Sequence, residues 1–134
     1  MANETEKLTV NLGIVELAQI DVLVEQGIYS NRSDFIRTSV RNHLEVNRDR
    51  IENRLTPVSG KKSWMWGIGI YSLTKKDIEN LAAENGKLNI SVIGMLVIDK
   101  NIDAKLFEDI AENIIVRGKL VASNEIKEII ERMK

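Results

Sequence analysis

The sequence predicts an α+β protein in two parts. An N-terminal strand–helix–helix unit is completed by an intertwined second copy of itself, and a small α+β domain with an internal strand–strand–helix repeat follows. Three observations carry this expectation. Residues 7–12 alternate apolar and polar with a period of two, and the pattern then changes to helical spacing. Strand, helix and helix are complete by Leu44, too little chain to bury a core alone. Beyond Gly86 a pattern recurs every 24 residues: Ile90, Val92, Gly94, Leu96, Val97 and Ile102 return as Ile114, Val116, Gly118, Leu120, Val121 and Ile126.

Within the first strand, Leu8, Val10 and Leu12 share one face and Lys7, Thr9 and Asn11 the other. A lone strand is an open edge that needs a partner. The first helix, about residues 14–26, carries Ile14, Val15, Leu17, Ala18, Ile20, Val22, Leu23 and Val24. That is more apolar surface than one packing stripe requires, so cover must come from more than one direction. Gly27 suits a left-handed helix end. Asn31 suits an N-cap with the acidic Asp34 three positions on, and Ser30 competes for the cap. The second helix turns Phe35, Ile36, Val40 and Leu44 inward and Arg37 and Arg41 outward.

Pro57, Ser59, Gly60, Lys61 and Lys62 mark a linker, which gives a first domain at 1–55, a linker at 56–62 and a second domain at 63–134. Residues 63–73 read as a strand, with Trp64, Trp66, Ile68 and Ile70 in register and core packing as the expected role of Trp64 and Trp66. Thr74 and Asp77 form a capping box for the next helix, which Gly86 ends. Each repeat copy reads as strand, glycine kink, strand, helix, with Gly94 and Gly118 permitting a bend or a close backbone approach. Trp66, Ile68 and Ile78 suggest a degenerate third copy that lacks the glycine.

Composition narrows the function classes. With 43% hydrophobic and 29% charged residues the chain reads as globular. A net charge of −1 means that any nucleic-acid contact uses a local basic surface. There is no cysteine, which removes thiolate chemistry and disulfides, and the one histidine, His43, is expected to be structural or at the surface and not a metal ligand. No paired carboxylates or nucleophile–base set stand out, so the expectation is a non-enzymatic protein without cofactor or metal. The first residues lack a secretion signal and no apolar stretch is long enough to span a bilayer, so a cytoplasmic, membrane-free location is expected.

Two groups of residues carry candidate chemistry. Lysine donates to guanine, asparagine pairs two-pronged with adenine, and threonine bonds a base or touches the thymine methyl. Lys7, Thr9 and Asn11 therefore have the residue types for reading base edges. The same face equally suits a solvated edge strand. Ser30, Asn31, Arg32 and Ser33 surround the start of the second helix, where free amides and the helix dipole favour a phosphate; an ordinary cap is the plainer alternative.

The segments TVNLG, VEQG and YSNRSDFIRTSVRNHL resemble the ribbon-helix-helix family of bacterial transcription regulators, the CopG, Arc and MetJ group. The resemblance covers residues 7–44, and GIYSNRSDFIR is its most specific part. It implies a homodimer on double-stranded DNA, with Lys7, Thr9 and Asn11 as base contacts and Ser30, Asn31, Arg32 and Ser33 at a phosphate. A role as repressor is implied too. Asn11 departs from the arginine of many relatives and Gly13 from their proline. For the second half the resemblance implies no function. Association into a tetramer or higher assembly and sensing of an effector stay open there. An antitoxin whose C-terminal part binds a toxin protein is the rival reading, and a structural self-assembly protein without DNA binding is a third.

Overall fold

The computed structural model describes residues 5–55 and 64–134. The expected linker at 56–62 and the side chain of Trp64 lie outside the described residues. The chain forms two compact units, Met1–Arg48 and Asp49–Lys134.

The first unit is a pair of helices, α1 (Ile14–Glu25) and α2 (Arg32–Val46), preceded by residues 7–12. The strand expected at 7–12 is not formed in the single chain, because a strand is defined by its ladder and this unit offers no second strand to pair with. Helix α1 ends as its sequence requires. Gly27 takes φ +76°, the Ile28 amide donates to the Leu23 carbonyl at 3.1 Å, and the Gly27 amide donates to Val24 at 3.0 Å. These are the two bonds of a helix terminated by a left-handed residue.

The cap of α2 is Asn31, not Ser30: the Asn31 side chain accepts from the Asp34 amide at 2.8 Å. Asp34 reaches back one residue further than in a standard box, accepting from the Ser30 amide at 2.9 Å. The Tyr29 ring packs edge-on against Phe35 with centroids 5.1 Å apart, which fixes the angle at which the turn enters α2.

This unit hardly has an interior. Among its described residues Ile20 alone is buried. Ile36, Val40 and Leu44, expected to point inward, are 42%, 53% and 54% exposed. The sequence pattern correctly marks them as a face, but nothing within one copy lies against it.

The second unit opens within α3 (Arg48–Glu52), which a 3-10 turn (Asn53–Leu55) with a buried Leu55 follows. Residues 48–52 thus form a second, short helix broken from α2 at Asn47. Three strand–helix pairs follow: β1 (Trp64–Leu73) with α4 (Lys75–Ala83), β2 (Leu88–Ile98) with α5 (Ala104–Ile110), and β3 (Ala111–Val121) with α6 (Asn124–Arg132). The sheet is parallel in the order β1-β2-β3. Phe107, Ile78, Ile126 and Ile130 from the helices pack on Ile90, Val92, Leu96, Ile98 and Ile114. These strand positions alternate, so the core lies between the helices and one face of the sheet.

The internal repeat differs from its sequence reading in three ways. Each copy holds one continuous strand through its glycine, not two strands and a kink. The degenerate copy does have its glycine: Gly69 stands in register with Gly94, and Gly94 with Gly118. It escapes sequence comparison because β1 is one residue out of phase with the 24-residue spacing. Third, Ile102 precedes the α5 cap while Ile126 lies inside α6, although both are buried. The close approach expected at the glycines is present: a Cβ on Gly94 would overlap the Gly69 carbonyl oxygen, and one on Gly118 the Gly94 carbonyl oxygen. Core packing, expected for Trp66, is corrected. Trp66, Ile68 and Ile70 lie on the face away from the helices and are 50%, 48% and 51% exposed.

Helix α4 begins with the box anticipated from its sequence. The Asp77 amide donates to Thr74 Oγ1 at 3.2 Å and the Thr74 amide to Asp77 Oδ2 at 2.9 Å. The Thr74 backbone amide, and then its side chain, hold the Asp77 carboxyl below its ordinary range. A carboxyl depressed by folding stabilises fully above its unfolded pKa, and that contribution is lost as pH falls through the lowered value. Thr74→Ala is expected to destabilise the second unit by about 1 kcal/mol near neutral pH, read from urea unfolding. An unchanged midpoint would mean that the cap is dispensable.

Candidate nucleic-acid interface

The candidate interface draws on residues at the ends of the two helices of the first unit. Lys7, Thr9 and Asn11 are all exposed, as are Leu8 and Val10 between them, at 84% and 64%. Both faces of the segment are therefore open in one copy, and Leu12 alone is partly covered. The segment is tied to α1 at Gly13, the N-cap, whose amide donates to Glu16 Oε2 at 3.4 Å. Residue types alternate such that one face has every reason to leave water and the other carries only hydrogen-bonding groups.

At the α2 end, Ser30, Asn31, Arg32 and Ser33 are likewise exposed and are brought together by the turn after Gly27. The amides of Arg32 and Ser33 occupy the first helical turn and have no acceptor inside the helix. With the helix dipole they can receive a phosphate oxygen. Two acceptors already compete there, since Asn31 and Asp34 hold the Asp34 and Ser30 amides.

One residue of this site was invisible in the sequence. Asp21, on α1, receives the Arg32 guanidinium two-pronged, Nε to Oδ1 at 2.8 Å and Nη2 to Oδ2 at 2.9 Å. The hydrogen bonds from Arg32 lower the Asp21 carboxyl below its usual range, and the same bonds raise the guanidinium. The pair locks the start of α2 to α1 with the geometry peculiar to arginine and carboxylate. Its partners are eleven residues apart across a turn, a separation with no periodic signature. The Arg32 side chain stays 56% exposed. Further along, Arg37 and Arg41 are exposed, and Arg48 pairs with Glu45 at 3.0 Å.

A profile of the ribbon-helix-helix transcriptional regulator family matches residues 3–127. The chain belongs to that family. No curated protein and no solved structure matches it. As a member of the ribbon-helix-helix family the chain is placed among DNA-binding transcription regulators. The match extends well past Leu44, through most of the three-stranded unit, so the ribbon-helix-helix assignment is not confined to the segment from which the resemblance was read. Among the described residues no group of three or more His, Cys, Asp or Glu could hold a metal ion, and no helix is long and apolar enough to cross a membrane.

Proposed function

We propose that this ribbon-helix-helix regulator is a repressor that binds operator DNA as a dimer, through a two-stranded ribbon made of residues 7–12 from each copy. The observation that carries the reading is the exposure of both faces of that segment. Leu8 and Val10 need cover that one copy lacks. An antiparallel second copy supplies it and leaves Lys7, Thr9 and Asn11 outward, twice over, on a ribbon narrow enough for the major groove. Twofold symmetry then calls for inverted half-sites.

In this reading Asn11 pairs with adenine, while Lys7 and Thr9 contact neighbouring bases. Ser30, Asn31, Arg32 and Ser33 hold a backbone phosphate, mainly by amides and hydroxyls because Asp21 engages one side of the Arg32 guanidinium. The second unit joins copies to one another, since it presents an apolar sheet face on which Trp66, Ile68 and Ile70 are each about half exposed. A pair of dimers joined so gains affinity on repeated operators through effective concentration.

The test is Asn11→Ala, assayed on DNA selected by the wild-type chain and on random duplex. The expected loss is about 1–3 kcal/mol on the selected site and little on random DNA. Equal losses on the two would remove Asn11 from base readout.

A further inference from the structure

Strand β1 stands at the edge of the sheet, paired with β2 and, among the described residues, with nothing on its other side. Edge strands that face water are ordinarily blunted by charge, by proline or by a bulge. The opposite edge obeys that rule: β3 carries Glu112, Arg117 and Lys119, and a register irregularity lies where it begins pairing. Strand β1, WMWGIGIYSL, has ten residues and neither a charge nor a proline among them.

Its open face is apolar as well. Trp66, Ile68 and Ile70 are each about half exposed, whereas Ser91 and Met95 on the neighbouring strand, in register with Trp66 and Ile70, are 4% and 9% exposed. Among the described residues cover is thinnest at the β1 edge, since Ile93, in register with Ile68 on the central strand, is also better covered than Ile68. On the helix side the edge is already closed, because the Tyr71 hydroxyl fills the space that a Cβ on Gly67 would need.

The order of residues identifies what fits there. Outward from Ile68 the strand meets glycine on both sides (Gly67, Gly69), then a large apolar residue on both sides (Trp66, Ile70), then another (Met65, Tyr71). Such a sequence is complementary to itself when turned end for end. We infer that β1 pairs antiparallel with β1 of a second copy about a twofold axis at Ile68, joining two three-stranded sheets into one of six strands.

Ile68 then faces the partner's Ile68, Trp66 faces the partner's Ile70, and glycine faces glycine. A twofold interface of this kind closes on itself and leaves β3, the charged edge, as the outer boundary of the assembly. The inference deepens the association proposed for the second unit by naming the strand that makes it.

The absence of cysteine makes the test direct. Ile68→Cys, and Ile115→Cys on β3 for comparison, are introduced singly into the full chain and mildly oxidised. Ile115 is 40% exposed on the same face, so the two sites are chemically alike. Residues facing each other across antiparallel strands have Cβ atoms about 4.5–5.5 Å apart, within a small adjustment of disulfide geometry. Ile68→Cys is expected to give a covalent dimer more than about tenfold faster than Ile115→Cys, as an effective concentration requires. The advantage should persist when Val10→Asp blocks the ribbon.

Equal rates at the two positions overturn the pairing of β1. If the Val10→Asp chain still sediments as a dimer while Ile68→Cys shows no advantage, the association of the second unit stands and its assignment to β1 falls. A monomeric Val10→Asp chain without cross-linking overturns both.

Discussion

Val10→Asp is expected to abolish specific DNA binding and to remove the cooperative unfolding of the first unit. In one copy Val10 is 64% exposed, so a carboxylate there would be harmless if the copy were the working form. In a ribbon dimer it sits on the covered face, twice. Burying a valine side chain stabilises by about 1.5–3 kcal/mol, so losing two removes about 3–6 kcal/mol from the dimer before the cost of enclosing a charge. That corresponds to a fall in affinity of about a hundredfold or more.

The helices should go with the ribbon. Among the described residues of this unit Ile20 alone is buried, and a helix pair with so small an interior does not hold by propensity. The discriminating companion is Thr9→Asp, one residue away on the other face. It should also lose DNA binding, by repulsion from phosphate, yet keep the helical unfolding transition followed by circular dichroism. If Val10→Asp keeps that transition as Thr9→Asp does, the ribbon dimer is wrong.

Gly94→Ala is expected to destabilise the second unit by about 2–4 kcal/mol, the sum of backbone strain and disturbed strand pairing. Gly94 lies in the central strand at φ +135°, and its missing Cβ is where the Gly69 carbonyl passes. The β1 strand must therefore move away, and with it the ladder on which that edge depends. Gly27→Ala is the contrast. It shares the left-handed backbone at φ +76°, but no atom lies within 4 Å of the added Cβ, so only the conformational cost of about 1 kcal/mol applies. Chemical denaturation of the two variants should separate these costs. Equal losses would mean that the crowding at Gly94 relaxes freely.

Local chemistry was legible in the chain, and contacts without a local signature were not. The Thr74–Asp77 box, the Asn31 cap and the Gly27 helix end all follow from residues within four positions of one another, and each is present. The strand segments of the repeat could be located because a period of two with glycine at one phase is a strong pattern, although each proved to be one continuous strand and not the two expected. The phase of the first copy was lost to a single residue of offset, which alignment at fixed spacing cannot tolerate and a backbone ladder absorbs without effort. Trp66 was misjudged for a different reason: an apolar stripe on a strand marks a face that will be covered, and does not say whether the same copy covers it.

The candidate interface divides in the same way. Lys7, Thr9 and Asn11 announce themselves by alternation, and Ser30–Ser33 by cap chemistry, because both are properties of consecutive residues. By itself the sequence determined the Gly27 helix end, the helix caps and the faces of each segment, since these depend on dihedral preference and periodicity within a few residues, and its motifs carried the resemblance to the family. Only the tertiary structure decided that Asp21 holds Arg32, that three glycines cross the sheet in one row, and that β1 is left as the bare edge. Those facts depend on which distant backbones lie side by side, a relation set by packing of the whole chain and written in no short stretch of it.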